Sequence, residues 1–191
     1  MSMEGMEEQG AEARDFSVFV YGSLMWDQWA DALDGKRIDG AILTGYRRSF
    51  NKSSVERWGT NVAPGPTLGL EPGTEAKCIG TVFQFSGAKQ GDVMTLLRKR
   101  EGASFAFPEL PVELPDGRSI VAVTPVNDRS KGTYIGALSV EKRAGMANVA
   151  TGSAGNANAY ARSLATKLKE LGIVDQDVED FVSALDKNLR P

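Results

Sequence analysis

The order of its periodic segments constrains the fold of this chain more than any other feature. Strand-like segments come first and helix-like segments come last, with one short helix between them. This pattern, taken alone, indicates an α+β domain. The predicted strands are residues 17–20, 41–50, 78–85, 111–114 and 119–126.

Two apolar stripes near the C-terminus predict two helices. Their apolar residues recur at helical spacing, and each stripe has a natural boundary at Gly172 or Asp175. The first stripe is Tyr160, Leu164, Leu168 and Leu171, and the second is Val178, Phe181, Val182, Leu185 and Leu189. Residues 115–118 read Pro-Asp-Gly-Arg, a turn sequence that predicts a hairpin between the last two strands. No internal repeat or linker divides the chain.

An apolar run at residues 18–20 stops abruptly at Tyr21, Gly22, Ser23 and Leu24. A buried strand that ends on Gly-Ser leaves backbone N–H groups unpaired at a loop. Such groups can hold a carboxylate or a developing oxyanion. Many ordinary strands end in the same way, so this loop needs a chemical partner before it indicates a site.

A partner is offered by a short helix over residues 93–101, which has Val93, Leu96 and Leu97 on one face. Asp92 is expected to cap its start and Gly102 its end. Glu101 then lies in the last turn, where the helix dipole disfavours a second negative charge and raises the pKa of the carboxyl. The basic residues 98–100 act in the opposite direction, so the sequence leaves the net shift of that pKa open.

Missing residue types exclude several kinds of catalytic site. The chain has no histidine and a single cysteine, so it contains no Ser-His or Cys-His device and no His-bearing zinc site. A Ser-Lys device stays open in principle, although Tyr-Gly-Ser-Leu-Met is not the nucleophile elbow of hydrolases. The sequence also lacks a phosphate-binding glycine motif. We expect neither a metal nor a cofactor.

Composition indicates a globular protein without a nucleic-acid or membrane partner. Its 191 residues suffice for one domain with a sizeable core, and the net charge is −3. No apolar stretch approaches the length of a membrane span. Residues 1–15 are acidic and rich in small residues, which predicts a disordered tail rather than a targeting signal. The unpaired Cys78 favours a reducing compartment, so we expect a cytoplasmic location.

Several segments in a consistent order resemble the gamma-glutamylcyclotransferase family, most closely its ChaC-like branch. The resemblance runs from about Phe16 to the C-terminus, and no single motif carries it. The matching segments are Tyr-Gly-Ser-Leu at 21–24, Gly-Tyr-Arg-Arg-Ser-Phe at 45–50, the polar loop 54–65, Thr-Leu-Gly-Leu-Glu-Pro at 67–72, Gly-Thr-Val-Phe at 80–83, Arg-Glu-Gly at 100–102, Tyr-Ile-Gly at 134–136, residues 150–160 and residues 171–175.

This resemblance implies a fold and a reaction. The fold would be a mixed β-sheet curled into a small barrel with flanking helices, in one domain over residues 16–191. Glu101 would be the acid/base residue, and the loop from Tyr21 to Leu24 would hold a gamma-glutamyl group. The substrate's α-amine would attack its own γ-carbonyl to release 5-oxoproline. If the substrate is glutathione, the second product is Cys-Gly.

Other residues are weaker candidates for substrate contact. Arg48 could bind a substrate carboxylate through its two guanidinium nitrogens, or lie at the surface of its strand. The Tyr160 hydroxyl could enter the pocket, or the residue could belong to the core. Asn156 is expected to cap the helix that follows it.

The chain also departs from the family pattern beside the catalytic motif. Ser104 and Phe105 stand where the family has Gly-Tyr, and Trp58 interrupts an Arg-Gly-Thr triplet. These departures leave the identity of the released amine open. The alternatives are a cyclotransferase for gamma-glutamyl-amino acids or gamma-glutamylamines, and a non-catalytic binding module on the same fold. Oligomeric state is beyond the sequence.

Overall fold

The computed structural model describes residues 15–188, so the predicted tail over residues 1–15 lies almost wholly outside the described residues. Nine strands and four α-helices are present in this range. None of these helices is both long and apolar enough to cross a membrane. The elements are β1 (Phe16–Val20), β2 (Lys36–Ser54), β3 (Gly65–Phe85), α1 (Gln90–Glu101), β4 (Phe105–Ala106), β5 (Glu109–Glu113), β6 (Ser119–Val123), β7 (Val126–Asn127), α2 (Val140–Val149), β8 (Thr151–Gly152), β9 (Gly155–Asn156), α3 (Ala157–Glu170) and α4 (Gln176–Lys187).

The central sheet is a closed barrel in the order β1-β3-β2-β5-β6. Its pairs are antiparallel except for β6 and β1, which meet in parallel at Val123 and Val18. The predicted mixed barrel with flanking helices is therefore confirmed. Closure removes the unpaired strand edges that an open sheet of this size would expose.

Two very long strands, β2 and β3, form most of the barrel wall. They are 19 and 21 residues long, whereas the predicted strands cover only 41–50 and 78–85. The first half of β3 contains glycines and prolines that hide its strand character, and its pairing with β2 stabilises it nonetheless. The last predicted strand is also wrong in extent, because it divides into β6 and β7 on either side of Pro125, which has no N–H to donate.

Helices α2, α3 and α4 pack against one another and against β2 or β3, and each is capped at its start by a polar side chain. Asn156 accepts hydrogen bonds from two backbone N–H groups at the start of α3, which confirms its capping role. Asp175 caps α4 in the same way. Asp92 does not cap α1, because this helix begins two residues earlier, at Gln90. The sequence analysis missed α2, whose buried face consists of Arg143, Ala144 and Ala147 and so shows no strong apolar stripe.

Candidate active site

Two cavities meet where β1, the end of α1 and the start of α3 come together. The main cavity has a volume of about 530 Å³, and a small recess of about 60 Å³ shares part of its lining. Only the recess is lined by Tyr21, Gly22 and Leu24. The residues common to both cavities are Ser23, Leu68, Glu101 and Tyr160.

The loop after β1 turns directly into a single 3₁₀ turn over Ser23–Met25. Its first internal hydrogen bond runs from the Met25 N–H to the Gly22 carbonyl, at 2.9 Å. The N–H groups of Ser23 and Leu24 precede that bond and have no acceptor within the turn. Both residues line the recess. That position is compatible with the predicted role of this loop in holding an anion.

Tyr21 belongs to this loop, but its hydroxyl is used by the fold. It donates a 2.8 Å hydrogen bond to the Pro125 carbonyl, between β6 and β7. Burial and the nearby Glu101 charge raise the pKa of Tyr21 well above its ordinary value. The tyrosine therefore stays protonated and fixes the recess wall.

Arg48 supports the same loop from behind and lines neither cavity. Its side chain is fully buried, and its Nε donates to the Tyr21 carbonyl at 2.7 Å. Its two terminal nitrogens donate to Asp175 at 2.8 Å and to the Ile79 carbonyl at 2.6 Å. All three nitrogens are engaged, so the structure gives Arg48 a positioning role in place of the predicted contact with a substrate carboxylate.

Glu101 ends α1 with its side chain partly buried between the main cavity and the recess. Among residues 15–188, no ion pair engages its carboxylate. Gly102 follows with a φ of +77°, a conformation that favours glycine and lets the chain turn away after the helix. The site therefore contains a carboxyl group at a helix end that forms no ion pair with the described residues.

The pKa of Glu101 is raised, which settles the direction that the sequence leaves open. Burial is the largest cause, and the negative charge of Asp27 acts in the same direction. The cations of Lys52, Arg100 and Arg57 oppose the shift without cancelling it. A carboxyl group of this kind gives up and accepts a proton closer to neutral pH than an exposed glutamate does.

Tyr160 lies at the start of α3 and lines both cavities, as one of its two sequence interpretations expects. Its ring stacks on Trp58 with centroids 4.7 Å apart, and its hydroxyl oxygen accepts the Leu68 N–H at 3.4 Å. Burial raises the pKa of Tyr160 to about 12. The hydroxyl is therefore protonated at neutral pH and has its own proton available for a ligand.

The polar loop over residues 55–64 forms one rim of the main cavity and is tied closely to its neighbours. A Cβ on Gly65 would lie 2.0 Å from the Trp58 carbonyl oxygen, so only glycine permits this approach. The N–H groups of Ser153 and Ala154 donate to this loop at 2.8 Å each. The loop thereby holds Trp58 against Tyr160 and places Arg57 on the cavity wall.

Among the residues that line the main cavity, Asp27 and Lys52 were not predicted from the sequence. Asp27 pairs with Arg100 and joins the segment after the 3₁₀ turn to α1. Lys52 lies on β2 beyond a register shift between Ser49 and Lys52, which no sequence pattern reveals. Phe105 was noticed only as a departure from the family pattern. The described residues contain no cluster of three or more metal-ligating side chains.

Comparisons with known proteins agree with this fold. A sequence model of the family described as "ChaC-like protein" matches residues 16–188. A glutathione-specific gamma-glutamylcyclotransferase of Escherichia coli is 28% identical over 176 residues, which cover 90% of this chain and 73% of the relative. Gamma-glutamylcyclotransferase 2-3 of Arabidopsis thaliana is 28% identical over 177 residues, covering 87% and 86% of the two chains. A crystal structure of the yeast gamma-glutamylcyclotransferase specific to glutathione superposes with a TM-score of 0.80 at 19% identity, over 91% of this chain and 96% of the other.

Proposed function

Because this chain belongs to the ChaC-like protein family, we propose that it is a gamma-glutamylcyclotransferase that converts glutathione to 5-oxoproline and Cys-Gly. The relatives from Escherichia coli and yeast carry the glutathione-specific activity in their names. The observation that carries the proposal is the shared recess, which is lined by the free carboxyl group of Glu101 and by the loop from Tyr21 to Leu24.

The reaction needs no nucleophile from the enzyme. The α-amine nitrogen of the glutamyl group forms a bond to its own γ-carbonyl carbon, and the amide bond to the cysteine nitrogen breaks. Nucleophile and electrophile belong to one molecule, and well-oriented intramolecular reactions reach effective molarities of about 10⁵–10⁸ M. The protein therefore has to bind the bent substrate, transfer the proton that the attacking amine must lose to the departing amine, and stabilise one developing charge.

Glu101 is suited to move that proton. As a carboxylate it removes a proton from the α-ammonium group, and as the resulting acid it delivers this proton to the departing amine. A raised pKa makes both states accessible near neutral pH. One residue then acts as base and acid in turn. The attacking nitrogen gives up a second proton when the lactam forms, and the departing amine takes up a second proton as it becomes an ammonium ion, so the protons balance over the cycle.

The loop and Tyr160 complete the recess as binding groups. The N–H groups of Ser23 and Leu24, which have no acceptor in their turn, are positioned to bind an anionic oxygen of the glutamyl group. A backbone donor aimed at a developing oxyanion contributes about 3 kcal/mol to the transition state. The protonated Tyr160 hydroxyl, held by the Leu68 N–H, supplies one further donor at the opening of the recess.

The proposal extends to the cellular location, the domain organisation and the partners of the enzyme. We place it in the cytoplasm as a single domain over residues 16–191, acting on a small molecule and not on nucleic acid. Cys78 is a free, fully buried thiol, and burial raises its pKa to about 11, which suits a reducing compartment and an inert packing role.

A substitution at Glu101 tests the function directly. Purified protein is incubated with glutathione and, separately, with gamma-glutamyl-alanine, and 5-oxoproline is measured. For Glu101→Gln we expect kcat to fall by about 10²–10⁴-fold, since acid/base groups contribute that much. Glu113→Gln is the matched control, because Glu113 is exposed on β5 and lines neither cavity.

The two substrates separate the remaining alternatives. Faster release from gamma-glutamyl-alanine than from glutathione would assign the chain to amino-acid conjugates. Release that persists in Glu101→Gln would remove Glu101 from the mechanism. No release from either substrate, by protein that still binds them, would favour the binding module.

A further inference from the structure

Lys52 is a cation on the wall of the main cavity. Its side chain is partly buried, and no ion pair among residues 15–188 includes it. Burial lowers its pKa, while the charge of Glu101 opposes that shift from across the cavity. A desolvated ammonium group without a counter-ion is costly, and an anionic ligand would relieve that cost.

Phe105 holds the Lys52 side chain in place. The Lys52 ammonium group lies 5.3 Å from the centre of the Phe105 ring, in a cation–π contact. Phe105 also lines the main cavity, and it is not part of the packed core of the described residues. The aromatic ring thus orients the cation without neutralising its charge.

The position of this pair points to one end of the substrate. Lys52 and Phe105 line the main cavity but not the recess, whereas Tyr21, Gly22 and Leu24 line the recess but not the main cavity. Glu101 lies at the boundary of the two. With the glutamyl group in the recess and its reacting amide at Glu101, the departing amine extends into the main cavity toward Lys52.

The other cations of the main cavity are less suited to a fixed ionic contact. Arg100 is already paired with Asp27. Arg57 is exposed on the rim, where water screens its charge. Lys52 is therefore the cation of this cavity that is both partly desolvated and unpaired.

From this arrangement, and resting on the proposed function, we propose that Lys52 binds the carboxylate of the departing amine and selects substrates that carry one. For glutathione, this carboxylate is that of the terminal glycine. Phe105 is the positioning residue that aims the ammonium group. Lys52 is then a specificity-determining residue, while the bond-forming chemistry depends on Glu101 and the recess.

The test compares glutathione with its glycinamide form, in which an uncharged carboxamide replaces the terminal carboxylate. For the wild-type protein we expect kcat/KM to favour glutathione by about 10- to 100-fold, the usual value of a hydrogen bond to a charged group. At a pH above the acidic limb, where Glu101 is ionised, Lys52→Met should lower kcat/KM for glutathione by a similar factor, mainly through KM, and leave the glycinamide form nearly unchanged. Lys52→Arg should restore part of the preference. Lys36→Met, an exposed lysine on the same strand, is the matched control.

A loss at that pH that is equal for both substrates would overturn the proposal, because it would place the contact of Lys52 at the glutamyl end. Equilibrium binding tests the same contact without turnover. The affinities of both compounds are measured for the Glu101→Gln protein and for the double variant that also carries Lys52→Met. Absence of 5-oxoproline in the kinetic experiment counts against the cyclotransferase function. Absence of a Lys52-dependent difference in binding counts against the carboxylate contact.

Discussion

Two cations on one strand, Arg48 and Lys52, are used in opposite ways. Arg48 is sealed inside the molecule and donates to the Tyr21 carbonyl, the Ile79 carbonyl and the Asp175 carboxylate. Lys52, four residues further along β2, lines the main cavity and forms no ion pair with any residue that the structure describes. One side chain stabilises the wall of the site, and the other is available to a ligand.

This difference depends on partners that are distant in sequence. The acceptors of Arg48 lie 27, 31 and 127 residues away along the chain. They meet because the barrel closes beside β1 and because α4 begins against β2. Residue type therefore indicates that a cation is present, while the contacts of the folded chain decide whether that cation is already paired with acceptors in the protein.

The largest effect on stability is expected from removing Arg48, the buried and paired cation. Arg48→Met leaves Asp175 as a nearly buried carboxylate without its partner and removes a donor from two backbone carbonyls. Breaking one side of a buried ion pair costs about 3–5 kcal/mol, so we expect the free energy of unfolding to fall by that amount. Unfolding in urea, followed by circular dichroism, measures the loss.

A second variant shows whether the orphaned charge causes this loss. Asp175→Asn in the Arg48→Met background removes the carboxylate charge and keeps a side-chain oxygen to cap α4. We expect the double variant to be more stable than Arg48→Met alone. A loss below about 1 kcal/mol in the single variant would show that Arg48 behaves like a surface cation and would break the comparison.

A smaller effect is expected from removing Lys52, and it changes the pH dependence of the activity rather than the stability of the fold. Among the groups that act on Glu101, Lys52, Arg100 and Arg57 lower its pKa, while burial and Asp27 raise it. Lys52→Met removes the largest of the lowering charges, so the pKa of Glu101 should rise further. Because Glu101 must be ionised to act as base, the acidic limb of the kcat/KM profile should move to higher pH.

The measurement is a pH profile with the glycinamide form of glutathione, whose binding does not depend on the proposed carboxylate contact. Lys36→Met, which removes an exposed charge from the same strand, should leave the limb where it is in the wild type. A limb that moves to lower pH, or stays in place in Lys52→Met, would contradict the electrostatic link between Lys52 and Glu101.

Local patterns and family motifs predict the fold of this molecule better than they predict the contacts of its charged side chains. The barrel and the C-terminal helices follow from apolar periodicity and motif order, and the structure brings Glu101 and the Tyr21–Leu24 loop to one recess, while their catalytic roles stay predictions. The length of β3 and the existence of α2 were missed, because glycine, proline and alanine conceal the apolar period there. Lys52 was missed because its orientation depends on a register shift between β2 and β3.

The smallest effect is expected at Arg47, the immediate neighbour of Arg48. Arg47 pairs with Asp177 at 2.6 Å, but their side chains are 51% and 36% exposed. Exposed pairs of this kind contribute about 0.2–1 kcal/mol, because water and salt screen the attraction. Arg47→Met should therefore lower the free energy of unfolding by no more than about 1 kcal/mol, and by less at high salt. An effect as large as that of Arg48→Met would mean that position along β2, and not burial with fixed partners, determines what a cation contributes to this barrel.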